Sequence, residues 1–277
     1  MKFGIAIFPT DYAIPLTELG PALEERSFES LWVAEHTHIP RSRMSREPGG
    51  PPLPQHYWHT LDPFVALASA AVVTTRLRLG TAICLVVEHD PIDLAKAVAS
   101  LDHLSGGRFL FGIGGGWNRE EMANHGTAFE TRWKLVRERV EAMKAIWKEE
   151  EAEYHGEFVS FDPILAWPKP VQAPHPPIIL GGNAPNTLKR VVRYADGWMP
   201  NRGEVLGRIP ELQRLAEEAG RGPIPVTVDA QPNRQDIERL SEAPVERIMF
   251  YLPSDGRDAA LRELEKLTGL TEPFRSV

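Results

Sequence analysis

Cysteine is nearly absent: Cys84 is the only one in 277 residues. No intramolecular disulfide can form, which fits a reducing compartment. A surplus of positive charge is also missing. With 31 Lys and Arg against 38 Asp and Glu the formal net charge is −7, so the chain lacks the basic excess that a phosphate-tracking nucleic-acid surface needs. No apolar run approaches the ~20 residues of a membrane-spanning helix, and Met1-Lys2 leads straight into the strand-like Phe3 to Phe8 without a charged and apolar leader. These absences lead to the expectation of a soluble, unexported, cytoplasmic protein with neither nucleic acid nor membrane as partner. What is present is ordinary: 42% hydrophobic and 25% charged residues, enough for one large core and one domain over residues 1–277.

Short β-type runs alternate with longer amphipathic stretches, the pattern of βα units around a parallel sheet. Eight candidate strands are Phe3 to Phe8, Ser30 to Ala34, Leu77 to Ile83, Arg108 to Ile113, Pro177 to Leu180, Gly197 to Met199, Ile224 to Asp229 and Arg247 to Leu252. The helical stretches between them are Leu16 to Ser27, Pro63 to Thr74, Ile92 to Leu104, Thr131 to Glu149, Ala184 to Tyr194, Val205 to Ala219, Asn233 to Ser241 and Asp255 to Thr268. This count predicts an α/β fold, a (β/α)8 TIM barrel, with its site in the loops after the strands' C-terminal ends. Two connections are long enough to be insertions: 39–62 after strand two and 150–176 after strand four, the latter with a small hairpin around Tyr154 to Val159. A dinucleotide-binding doubly wound sheet fits poorly, because Trp117 stands where its fingerprint needs a third glycine. In the longest helix Trp133, Val136, Val140, Met143 and Trp147 recur at helical spacing, as core residues do.

Several strand ends carry residues suited to chemistry. Phe109 to Ile113 runs into Gly114-Gly115-Gly116-Trp117, where bare main chain offers a flat ligand a shelf with an aromatic wall; a glycine-rich turn is the plain alternative. Glu35-His36-Thr37-His38 follows strand two. His36 there suits proton exchange near neutral pH or a hydrogen bond to a cofactor ring, against the alternative of a rim histidine capping a turn. His36 and His38 also invite a metal, but no further ligand set accompanies them at the other strand ends. Gly181-Gly182-Asn183 leads into a helix, a place for a phosphate group near free N–H groups and the positive end of the helix dipole, or a plain cap by Asn183. Lys189 and Arg190 either add charge there or solvate the helix face. Asp90 before Pro91 reads as an N-cap, and Cys84 as packing.

Taken in order, Leu31-Trp32-Val33-Ala34-Glu35-His36, Leu79-Gly80-Thr81-Ala82-Ile83, Ala99 to Arg108, Gly112 to Trp117 and Ile179-Leu180-Gly181-Gly182-Asn183 resemble the bacterial luciferase-like monooxygenase superfamily, and within it the compact branch of oxidoreductases dependent on the deazaflavin coenzyme F420. The resemblance runs from residue 1 to about 200. It implies a ring in the barrel mouth held by Glu35, His36, Thr81, Ala82, Ile83, Gly114, Gly115, Gly116 and Trp117, a phosphate at Gly181, Gly182 and Asn183, a non-prolyl cis peptide at Ala82-Ile83, and His36 as the catalytic group. It further implies hydride transfer between F420 and a small organic substrate, and a homodimer. The alternatives are a monooxygenase using reduced FMN and oxygen, fed by a separate flavin reductase, and a non-catalytic flavin- or deazaflavin-binding barrel. One departure bears on the reaction: sugar-phosphate dehydrogenases of the superfamily carry a catalytic carboxylate where this chain has Trp117. Glu120 and Glu121 follow closely and read either as substitutes or as first-turn helix acids.

Overall fold

The structure is a computed structural model describing residues 1–47, 49–201 and 205–275; Pro48, inside the first insertion, lies outside the described residues. Eight parallel strands form the frame: β1 Lys2–Ile7, β2 Ser30–Val33, β3 Arg78–Thr81, β4 Phe109–Gly114, β5 Ile178–Gly181, β6 Gly197–Met199, β7 Thr227–Asp229 and β8 Arg247–Tyr251. Their spatial order is β7-β8-β1-β2-β3-β4-β5-β6. A parallel bridge between Trp198 and Val226 closes the ring, so this is the expected (β/α)8 barrel. The helices are α1 Leu16–Glu25, α2 Pro63–Ala71, α3 Pro91–Leu104, α4 Arg119–Asn124, α5 Arg132–Lys148, α6 Thr187–Tyr194, α7 Ile209–Glu218, α8 Arg234–Ser241 and α9 Arg257–Thr271. None is long and apolar enough to cross a membrane.

Differences from the sequence reading are local. The third strand ends at Thr81; after the cis peptide Ala82-Ile83 the chain pairs again through Cys84–Leu85 against β4. The helix expected from Ala184 starts at Thr187. The short α4 escaped notice because six residues are too few to show a periodicity; Asn118 caps it, accepting the Glu121 N–H at 3.4 Å. The second insertion does contain a hairpin, Glu151–His155 paired with Ser160–Leu165.

Inside the ring Ala6, Trp32, Leu110, Ile179, Met199 and Met249 form a compact apolar plug. Trp32 fills most of it, and small neighbours make the room: a Cβ on Gly80 would stand 2.3 Å from the Trp32 ring. The larger core lies between strands and helices, where Val136, Val140 and Met143 of α5 are fully buried. Below the plug, at the strands' N-terminal ends, polar groups are buried in matched sets. Arg247 makes a fork of two hydrogen bonds to Glu29, 2.7 and 2.8 Å, and a third to Thr227 Oγ1 at 3.1 Å. Burial opposes the Glu29 charge, but the Arg247 hydrogen bond and charge outweigh it and hold the carboxyl below its ordinary range. Arg108 places all five guanidinium donors, on Ser105 O, Ala71 O, Thr74 O, Leu77 O and Thr74 Oγ1. Three of these are carbonyls at or just beyond the end of α2, so the Gly106-Gly107-Arg108 stretch is floor scaffolding.

Candidate active site

At the opposite end every strand delivers a residue to one cavity of about 780 Å³: Phe8 follows β1, Ala34 to His36 β2, Ala82 and Ile83 β3, Gly114 to Trp117 β4, Gly181 to Asn183 β5, Asn201 β6, while Asp229 and Tyr251 end β7 and β8. A single mouth therefore gathers all the expected positions except Thr81. Thr81 is fully buried and its hydroxyl donates to Gly112 O at 2.6 Å, so it lies behind the wall. That contact also explains a glycine: a Cβ on Gly112 would fall 1.8 Å from Thr81 O. The first insertion adds Glu47, Gly49, His56 and Tyr57 to the lining. The Tyr57 ring lies 5.1 Å from the His36 ring and 6.0 Å from that of Trp117, which supplies the aromatic side of the cavity.

His36 has defined chemistry. Its Nδ1 stands 2.8 Å from Glu121 Oε2, and Glu121, fully buried, also accepts the Thr37 N–H at 3.2 Å. An ionised carboxylate only accepts, so Nδ1 carries the hydrogen and Nε2 is left with a lone pair for the cavity. This is the orienter-and-base arrangement of general acid–base sites. The sequence left Glu121 open between substitute carboxylate and helix acid; the fold puts it behind the imidazole.

Glu35 lines the mouth but turns its carboxylate away from it. One oxygen accepts the Leu85 N–H and the other meets His89 Nε2 at 2.7 Å. Burial opposes the His89 charge, yet the Glu35 hydrogen bond and charge raise its pKa on balance. Glu35, Cys84 and His89 bring one ligand atom each within 4.8 Å of one another, but two of the three are already engaged in these hydrogen bonds. Burial, then the charge of Glu35, pushes the Cys84 thiol well up, which agrees with Cys84 as packing.

Glu88 was not foreseen. Its side chain is 1% exposed and neither oxygen has a hydrogen-bond partner; His125 Nε2 stands 3.6 Å away. Burial, then the charges of Glu121 and Glu35, pushes its pKa up to about 9, making it a neutral acid at pH 7. Sequence offered no signal for this, since Glu88 opens the Glu88-His89-Asp90 run that reads as a helix cap.

At the β5 side Gly182 has φ +111, a backbone shape that disfavours side chains. Asn183 Oδ1 and Thr187 Oγ1 are buried beside it with no partner, although Asn183 Nδ2 donates to Asn201 O at 2.8 Å. Of these, the Thr187 hydroxyl at the helix start can donate to an oxygen-rich anion, whereas Asn183 Oδ1 can only accept. On the far wall Trp133, expected in the core, packs against that core and also lines the cavity: the Gly115 backbone lies against its ring, and a Cβ there would be 3.1 Å from the indole.

The chain belongs to the luciferase-like monooxygenase family, whose model matches residues 1–269. It is 42% identical over 275 residues to an uncharacterised protein of Mycobacterium tuberculosis, covering 96% of this chain and 97% of that one. More distant relatives, each 27% identical, divide by cofactor. One is an F420-dependent glucose-6-phosphate dehydrogenase of Kineococcus radiotolerans, covering 74% of this chain and 59% of the relative. The other is an FMNH2-dependent dimethylsulfone monooxygenase of Pseudomonas putida, covering 57% and 45%. In fold the chain is similar to a monooxygenase from Streptomyces bottropensis, TM-score 0.85 at 21% identity, and to an F420-dependent secondary alcohol dehydrogenase, TM-score 0.78 at 16% identity, each over the full length of both chains.

Proposed function

We propose that this protein is an F420-dependent oxidoreductase that moves a hydride between the deazaflavin and a small organic substrate, an alcohol or its carbonyl partner. The observation that carries the reading is the pairing, within one mouth, of a bare glycine shelf with an imidazole that lines the cavity and whose Nδ1 is fixed by a buried carboxylate. The residues fit the cofactor: Gly114 to Trp117 and Ala82-Ile83 would line its ring, and its phosphate would lie against Gly181, Gly182 and Asn183 with the unpartnered Thr187 hydroxyl as donor. When bound there, the cofactor supplies a hydride acceptor or donor.

The chain's own task is to place the substrate and handle its proton. In the oxidising direction the substrate O–H proton goes to His36 Nε2 as the carbon gives up its hydrogen with the bonding pair. In the reducing direction the imidazolium returns that proton to the new oxygen. Glu121 stabilises the imidazolium and fixes the ring plane, while Tyr57 and Trp117 exclude water from one side. Trp117 takes no part in proton transfer, so the proton chemistry that sugar-phosphate dehydrogenases assign to a carboxylate at that position passes here to His36.

Titration of the purified protein with F420 and with FMN, followed by cofactor and tryptophan fluorescence, tests the assignment. F420 is expected to bind at micromolar concentration and at least tenfold more tightly than FMN. Tighter FMN binding would transfer the site to reduced-flavin oxygenation, and failure of both ligands would remove the redox reading altogether.

A further inference from the structure

Beside the mouth, three arginines share two aromatic rings. Arg119 and Arg132 bring their guanidinium carbons 4.5 and 3.6 Å from the centre of the Phe129 ring. Arg132 and Arg190 approach Trp133 at 5.7 and 4.3 Å. Trp133 is itself a wall of the cavity, so the row begins where the glycine shelf ends. Arg190 lies one turn along α6 from Thr187, whose buried hydroxyl has no partner. Exposed Lys189 suits a solvated helix face; Arg190, with Nη1 buried and unpartnered, does not.

Two of the three charges in this row have no ion-pair partner among the described residues. Acids outnumber bases in the chain, yet the one carboxylate on the row is that of Glu130, an exposed side chain paired with Arg119. Arg132 donates from Nη1 to Phe129 O at 2.7 Å, while its Nε is buried without a partner. Neither Arg132 nor Arg190 has an ion pair among the described residues. Burial, then the charges of Arg190 and Arg119, lowers the pKa of Arg132. Stacking on aromatic faces holds guanidinium groups together, and an anion seated among them would offset the mutual repulsion that Glu130 counters only in part.

We propose that Arg190, Arg132 and Arg119 form a seat for an anionic chain that leaves the cavity past Thr187, namely the part of the cofactor beyond its first phosphate, built of carboxylate-bearing units. This rests on the F420 reading and deepens it: the shelf takes the ring, and the arginine row takes a tail that FMN lacks.

The test compares F420 with the deazaflavin riboside that ends at the first phosphate and has no tail, in the wild type and in the double variant Arg132→Gln/Arg190→Gln, using tryptophan and deazaflavin fluorescence. The wild type is expected to bind F420 at least tenfold more tightly than the riboside, with a preference that shrinks as salt rises. The double variant is expected to lose most of that preference while holding the riboside as before. Equal binding of both ligands by the wild type overturns the proposal, and so does loss of riboside binding in the double variant together with an unchanged melting temperature. A variant that melts lower is replaced by Arg190→Gln alone, judged by the same two results. A second arm separates this proposal from the F420 reading: inorganic tripolyphosphate is titrated into cofactor-free protein. Quenching of tryptophan emission that disappears in the variant supports the seat even if no deazaflavin binds, and no response from the wild type overturns it.

Discussion

At the floor of the barrel two guanidinium groups are fully matched: Arg247 forks onto Glu29, and Arg108 places five donors on five acceptors. At the mouth, Glu88 has no hydrogen-bond partner, Asn183 and Thr187 keep unmatched oxygens, and Arg132 and Arg190 lack counter-ions. Both ends belong to the same strands and have the same access to polar side chains. The difference teaches where matching is complete and where it is left open around a cavity. Unpartnered atoms occur elsewhere too, at Arg78 Nε and Arg275 Nε among others, but at the mouth they stand beside the space in which a (β/α)8 barrel keeps its chemistry.

The contrast breaks most visibly at the floor. Arg247→Ala leaves the Glu29 carboxylate without its partner, and urea unfolding should register a loss of about 3–5 kcal/mol. A loss under about 1 kcal/mol would mean that the floor pairing is incidental. At the mouth the expected pattern is reversed. His36→Asn should lower turnover of a reactive alcohol or carbonyl substrate by roughly 10²-fold or more, with the melting temperature nearly unchanged; a fall in stability like that of Arg247→Ala would make His36 a floor-type residue in the wrong place.

The third case sharpens the comparison through pH. The Glu88 pKa rises from 4.5 to about 9 on folding. Between those values the native state holds a proton that the unfolded chain has released, so this group's contribution to stability falls as pH rises. Glu88→Gln removes the titration while keeping a neutral side chain of similar shape. The variant should match the wild type near pH 5 and gain on it steadily toward pH 9, by up to about 4 kcal/mol in thermal or urea unfolding at pH 8. A gap that is constant with pH would show Glu88 to be ionised in the folded protein.

Much of the barrel was legible along the chain because its signals are local. Short β-branched and apolar runs separated by amphipathic stretches located all eight strands, with errors confined to their ends. The cavity-facing positions after β2, β4 and β5 were legible for the same reason: a strand end followed by glycine, or by histidine, announces itself within a few residues. Thr81 was misplaced because alternation along a strand does not say which face becomes a wall and which becomes backing. Trp133 packs on the core as its helical spacing implies, but that spacing does not say that the cavity also lies against it.

The pairings that give the site its chemistry are long-range. His36 with Glu121, Glu88 among three loop-borne groups, and Arg190 against Trp133 each join elements far apart in sequence. Residue order therefore fixed the barrel, the strand ends and the kinds of side chain available at the mouth. Which nitrogen of His36 carries the hydrogen, which carboxyl stays protonated, and which arginines stand without counter-ions were set by folding, because burial and charge proximity arise only when the ring closes and brings separate loops within a few ångströms of one another.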